Sequence, residues 1–157
     1  MSDFLRDLAK FDKKLKKILD EASGPKALDF IGNIAVDIIR NRTREGYGVK
    51  KNGGRRQGLA DLSRGYIEFR RRNSSRLSAF TSPGKSNLTF TGKMLNGLKF
   101  KRSGNSTTIT FDSSRNRKVA GYVSVKRPFL FLSIDEIGQL VKTYDKYFAG
   151  LVRSRNR

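Results

Sequence analysis

The sequence predicts an α+β domain in which an antiparallel sheet of three or four strands packs with long N-terminal helices and a C-terminal helix. Apolar residues recur at spacings of three and four through the first 42 residues and again from residue 134. Between Leu98 and Phe111 the period changes to two, as on a half-buried strand. Stretches rich in glycine, serine and basic residues separate these regions. The 157 residues suit a single domain with one moderate core. That domain divides into a helical part (1–42), a basic flexible loop (43–58) and a β-meander with the C-terminal helix (88–152).

Phe4, Leu8, Phe11, Leu15 and Ile18 share one face of a first helix, which Ser23-Gly24-Pro25 ends. Pro25 suits the first turn of a second helix reaching Arg42, with Leu28, Ile31, Ala35 and Ile38 as its stripe and Ile34 and Ile39 widening it. No apolar period survives in TREGYGVKKNGGRRQG (43–58), which reads as a mobile loop. Ser63 is the N-cap of a short helix anchored by Tyr66, Ile67 and Phe69 and ending in Arg70-Arg71-Arg72. Residues 73–87 form a serine-rich loop with a turn at Pro83-Gly84, and a turn or two of helix follows Thr91-Gly92. Residues 98–103 and 107–111 then alternate around Gly104-Asn105, the signature of a β-hairpin. A basic turn at Arg115 to Lys118 leads to a third strand, Val119 to Val125. Ser133 and Glu136 fit a capping box, and Ile134, Ile137, Val141, Tyr144, Phe148 and Leu151 line the helix it opens.

Charge and missing residue types narrow the function. With no cysteine and no histidine, the chain lacks disulfides, thiolate nucleophiles, the usual zinc ligands and the commonest acid–base side chain. Net charge is +20, and it is unevenly placed. Residues 1–39 are neutral; residues 40–127 hold 22 basic side chains against four acidic ones. Such a field implies a polyanionic neighbour, either nucleic acid or an acidic protein surface. No apolar run approaches a membrane span, and the charged N-terminus does not resemble a signal peptide, which predicts synthesis in the cytoplasm.

The sequence offers no catalytic, cofactor-binding or metal site. Asp61 and Glu68 are the best pair for a metal-dependent nuclease, and they read instead as offsets to neighbouring arginines. The glycines from Gly46 to Gly58 lack the phosphate-loop pattern and follow a helix, not a strand. Serine nucleophiles have no evident base. The run Tyr66 to Arg72 joins aromatic to basic residues; its aromatics read as core anchors beneath a solvated basic face, with nucleic-acid contact as the alternative.

Three segments carry a resemblance. Leu59-Ala60-Asp61-Leu62-Ser63-Arg64-Gly65-Tyr66 matches an L-x-x-L-S-x-x-Y/T element. Within Ser86 to Leu95, the run containing Thr91-Gly92 matches an L-x-x-T-G-x-L/M phrase that precedes a hairpin. Arg127-Pro128-Phe129-Leu130-Phe131-Leu132-Ser133, followed by Asp135-Glu136, matches R-P-F-L-x-L-S-x-x-(D/E). In this order the chain resembles the phage neck and tail-completion family, the HK97-type neck tail-component and Mu-type virion morphogenesis proteins, over about residues 25–152. Family members often carry a Y-A-x-x-H/Q-x-G element before R-P-F; Ala120-Gly121-Tyr122-Val123 stands there without its polar residue.

The resemblance implies a virion protein without enzymatic activity. It would be a ring subunit at the head–tail junction, stacked on a connector or head-closure protein and meeting the tail terminator or tail tube around the DNA channel. Six-fold and twelve-fold rings both stay open. Arg44, Lys50, Lys51, Arg55, Arg56, Arg70, Arg71, Arg72, Arg76, Arg115, Arg117 and Lys118 are then candidate contacts to DNA phosphates or acidic partner surfaces. Ser63, Thr91, Gly92, Arg127, Pro128, Phe129, Leu132, Ser133 and Glu136 are expected to shape the fold. Gly92 permits a tight approach or an unusual backbone angle, Pro128 extends Arg127 and ends the third strand, Phe129, Leu130 and Leu132 seat a corner, and Ser133 caps the last helix. A free, sequence-nonspecific nucleic-acid-binding protein is the rival reading.

Overall fold

Proline is tolerated where a helix begins because its missing N–H has no partner there, and Pro25 opens helix α1 (Pro25–Glu45). A computed structural model describes residues 20–104 and 106–155. Of the expected first helix only residues 20–23 are described, and they are helical; Phe4 to Ile18 lie outside the described residues. Helix α1 runs three residues past Arg42 and stops at Gly46, whose φ of 98° suits glycine. Its buried face is Ala27, Gly32, Ala35, Val36, Ile39 and Thr43, so the expected stripe is rotated and Ile31, Ile34 and Ile38 are only half-buried. Gly32 explains the rotation. A Cβ there would lie 2.6 Å from Phe100 Cγ and 2.9 Å from Thr107 Cγ2, so only glycine lets a hairpin cross the helix this closely.

The stretch 43–58 holds regular structure that its composition does not suggest. Thr43, Arg44 and Glu45 belong to α1, and β1 (Tyr47–Gly48) pairs antiparallel with β2 (Gln57–Gly58). Val49 is fully buried and its N–H donates to the Pro128 carbonyl at 3.0 Å. The Gly53 N–H donates to the Leu132 carbonyl at 2.9 Å, and Gly54 bridges in parallel to Ser133. Glycine at 48 is obligatory, since a Cβ would fall 2.0 Å from the Pro128 oxygen. Long-range backbone bonds, which composition does not encode, hold this hairpin.

Helix α2 (Arg64–Arg72) begins as expected, with Ser63 Oγ accepting from the Tyr66 N–H at 3.3 Å. A 3₁₀ turn (Ser74–Arg76) follows. Gly92, with φ 73°, leads into the single turn of α3 (Lys93–Asn96). Strands β3 (Leu98–Ser103) and β4 (Ser106–Phe111) pair from Leu98 with Phe111 to Ser103 with Ser106, as the alternation predicts. The turn between them starts at Gly104, φ 54°, and Asn105 lies outside the described residues.

The expected third strand is absent. Residues 114–126 form helix α4 (Ser114–Lys126), and the basic turn at Arg115 to Lys118 is its beginning. Ser113 Oγ accepts from the Asn116 N–H at 3.2 Å, and Asn116 Nδ2 donates to Asp112 Oδ1 at 2.7 Å. That second bond is the main reason the Asp112 carboxyl sits below the usual carboxylate range. Its contribution to this helix start is present at neutral pH and is lost as pH falls through the lowered value. Asn116, Ala120, Val123 and Arg127 turn inward at spacings of four, three and four, whereas Val119 and Val125 of the supposed alternation are exposed. Only Ala120 is fully buried, so the helical period is faint in the sequence. Pro128 therefore ends a helix, not a strand. The final helix, α5 (Ile134–Arg155), follows the capping box.

The described sheet structure is thus two separate antiparallel pairs, β1–β2 and β3–β4, rather than one sheet of three or four strands; the fold remains α+β. Val36, Ile39, Leu95, Leu98, Phe111, Ala120 and Phe129 form the core where α1, the β3–β4 hairpin, α4 and the 127–133 segment meet. Helix α5 lies along α1, with Phe30 stacked on Tyr147 at 4.6 Å and Tyr144 Oη donating to the Ala22 carbonyl at 2.6 Å. Among the described residues no helix is long and apolar enough to cross a membrane. Gly32→Val is expected to lower stability by about 1–3 kcal/mol in urea unfolding, through overpacking against Phe100; an unchanged midpoint would refute the close crossing.

Candidate functional site

Arg42 occupies the inward face of α1 one turn beyond Ile39, and there it is almost completely buried. Its Nη1 donates to Glu136 Oε2 at 2.6 Å and to the Phe131 carbonyl at 2.8 Å, and its Nη2 donates to the Phe129 carbonyl. Burial pushes the guanidinium below its ordinary pKa, and the charge and hydrogen bond of Glu136 oppose that shift. Arginine remains charged regardless. The same Glu136 oxygen accepts from the Ser133 N–H at 2.7 Å, while Ser133 Oγ accepts from the Glu136 N–H at 3.2 Å. A capping box and a buried ion pair thus share one carboxylate.

The three segments that carry the family resemblance meet in space. Arg127 Nε donates to the Ala60 carbonyl at 2.9 Å and Nη2 to the Asp61 carbonyl at 2.6 Å, joining the third segment to the first. Ser86 Oγ also donates to the Ala60 carbonyl, joining the second. Asn87, fully buried, donates to the carbonyls of Arg44 and Phe80 at 3.0 and 2.8 Å and accepts from Thr81 and Thr89. Leu88, next to it, has a φ of 55°, an uncommon angle for a bulky residue. Phe129 is fully buried, Leu132 packs against the core, and Thr91 stays exposed.

The twelve basic candidates do not share one role. Lys50, Lys51, Arg55 and Arg56 are exposed between β1 and β2, where Arg56 pairs with Glu45 and lies 4.0 Å from the Tyr47 ring. Lys50 borders a groove of about 810 Å³ that also includes Lys126, Leu59 and Phe131. Arg44 is half-buried, 4.3 Å from the Phe80 ring, with Nη2 donating to Asn96 Oδ1 at 2.8 Å. Arg71 pairs with Glu68 at 2.6 Å, and Arg72 is exposed. Arg115, Arg117 and Lys118 are exposed on the start of α4, a helix in place of the expected turn.

Arg70 corrects the expectation outright. It is buried, 2% exposed, and donates to the Lys85 carbonyl at 2.9 Å and Thr81 Oγ1 at 2.7 Å. Desolvation lowers its pKa, opposed by Tyr66. It serves as a structural tie for residues 81–85. The aromatics of the same helix do the reverse. Tyr66 and Phe69, expected as core anchors, are 40% and 44% exposed. Their rings stack at 5.9 Å with 14° between planes, and Phe90 lies against both. Arg76 lies 5.7 Å from the Phe90 ring.

Arg42 and Asn87 had no counterpart among the expected site residues. Arg42 carried one usable signal, its place on the helical period after Ala35 and Ile39; Asn87 carried none. Among the described residues no group of three or more acidic side chains is placed to hold a metal ion, and Glu68 is engaged with Arg71. Glu136→Gln is expected to cost about 3 kcal/mol, because it leaves a buried guanidinium without its counter-charge. The double variant Arg42→Met with Glu136→Leu should be less destabilised than the sum of the two single changes; strict additivity in chemical unfolding would show the two groups to be uncoupled. No protein-family model, curated protein or solved structure matches this chain.

Proposed function

We propose that this chain is a structural, non-catalytic subunit of the phage head–tail junction, a neck or tail-completion protein that forms a ring joining connector or head-closure proteins to the tail. The observation that carries this reading is apolar surface left open on a highly charged molecule. On α4, Tyr122 and Val125 are 81% and 82% exposed, and on α5 Ile134 and Val141 are 64% and 54% exposed, with Ile137 on the same stripe. Apolar residues grouped in this way on a chain of net charge +20 are characteristic of surfaces that other chains cover. Hydrogen bonding among the three family-like segments adds support, since each of them has a part in one joint.

In such a ring the exposed basic hairpin tip and the start of α4 would face DNA phosphates or acidic surfaces of adjoining rings. Phosphate contacts of this kind position a protein without reading sequence. The rival, a free nucleic-acid-binding protein, uses the same cations and differs in acting as a monomer. Mass photometry separates the two: the purified chain should form discrete closed oligomers, and Tyr122→Asp with Val125→Asp should return them to monomers with unchanged helix content by circular dichroism. A wild-type chain that stays monomeric at all concentrations and binds DNA tightly would favour the rival. Density for the chain in a reconstruction of the particle's neck would place it directly.

A further inference from the structure

We infer that the trough between α2 and α4 is a binding site for single-stranded nucleic acid, distinct from any phosphate contact made by the hairpin tip. Two clefts run together there. The first, about 470 Å³, is lined by Tyr66, Arg70, Phe90, Lys93 and Arg127, and the second, about 620 Å³, by Arg76, Lys93 and Arg115; they share Thr91, Lys93, Met94 and Val119. Each lies within the size range of small-ligand pockets, about 300–1,000 Å³.

Three features fit unpaired bases on a phosphate backbone. The Tyr66 and Phe69 rings are stacked on one another and are 40% and 44% exposed; Tyr66 and Phe90 line the first cleft, and Phe69 lies against Phe90. Aromatic faces of this kind stack bases of any identity. The lining is strongly cationic along its length, from Arg127 through Lys93 to Arg76 and Arg115, while its acidic side chain, Asp112, is engaged by Asn116. Arg70, buried in the wall of the first cleft, forms no ion pair with a carboxylate among the described residues, and its Nε has no hydrogen-bond partner there. Its charge, uncompensated by a carboxylate among the described residues, raises the positive potential of the cleft without touching the ligand.

Duplex DNA matches the trough less well, because its bases are already stacked and paired and offer the aromatic rings no free face. An acidic peptide would satisfy the cations but would leave the stacked rings without a matching planar group. The site stands independently of the ring reading, since it uses neither the apolar face of α4 that carries Tyr122 and Val125 nor that of α5.

The test uses the full chain and fluorescence anisotropy with a labelled twenty-nucleotide oligothymidylate, a labelled duplex of equal length, and unlabelled polyglutamate as competitor. Tyr66→Ala with Phe69→Ala removes two exposed rings, and circular dichroism checks that the fold is retained. That variant should bind the single strand about tenfold more weakly while duplex binding changes less than about twofold. Arg55→Ala with Arg56→Ala, at the hairpin tip, should show the opposite preference. Equal weakening of both nucleic acids by the aromatic variant, or no weakening of either, overturns the proposal. Displacement of the oligothymidylate by polyglutamate at equal charge concentration also overturns it, in favour of an acidic peptide partner.

Discussion

A single buried guanidinium ties the C-terminal part of α1 to residues 129–131 and to the start of α5. Arg42 arrives on α1, the helix that also supplies Val36 and Ile39 to the core, and fixes the backbone of residues 129–131 and the carboxylate that starts α5. Desolvating an arginine is expensive, and the cost is offset here by the carboxylate of Glu136 and the carbonyls of Phe129 and Phe131, the first two of them buried. The arrangement has a geometric consequence. Helix α5 must start where Glu136 can serve Ser133 and Arg42 together, so the C-terminal helix is indexed to α1 through polar contacts. Apolar packing within the chain covers only part of α5, and Ile134 and Val141 stay exposed.

A second polar centre organises the opposite side of α1. Asn87 satisfies both of its amide donors with backbone carbonyls, and its oxygen accepts from two threonines. Through Thr81 it connects to Arg70, which anchors α2. With α2 held by its arginine and not by its rings, Tyr66 and Phe69 are released to the surface. The inversion is physically consistent: the guanidinium finds carbonyl and hydroxyl partners inside, whereas the stacked rings cover one another outside.

This division of labour bears on function. Some of the cations in the central segment are internal ties, notably Arg42 and Arg70, and others are spread over two separate exposed regions, the β1–β2 tip and the α2–α4 trough. A net charge of +18 over residues 40–127 therefore overstates any single electrostatic surface. The apolar faces of α4 and α5 are a third exposed feature, and in the ring reading they meet neighbouring copies while the cations meet polyanions.

How much of this was legible in the sequence follows from the range of the forces involved. Local signals were sufficient for the N-cap at Ser63, the capping box at Ser133 and Glu136 and the β3–β4 hairpin turning at Gly104, because each is decided within a few residues by hydrogen bonding or by the absence of a Cβ. They were insufficient at α4, where a single buried alanine per inward face left a helix looking like alternating valines, and at 43–58, whose order comes from backbone bonds to residues more than seventy positions away. They also misplaced Arg70, Tyr66 and Phe69, since charge and hydrophobicity predict average burial and not which partners a given side chain will meet. Local patterns alone yield an α+β chain with a strongly basic centre and the helix starts at Pro25, Ser63 and Ser133, but not the start of α4. Long-range packing settles which arginines are interior ties and which aromatics face water, because burying a charge is favourable only where carbonyls and carboxylates from distant segments converge to receive it.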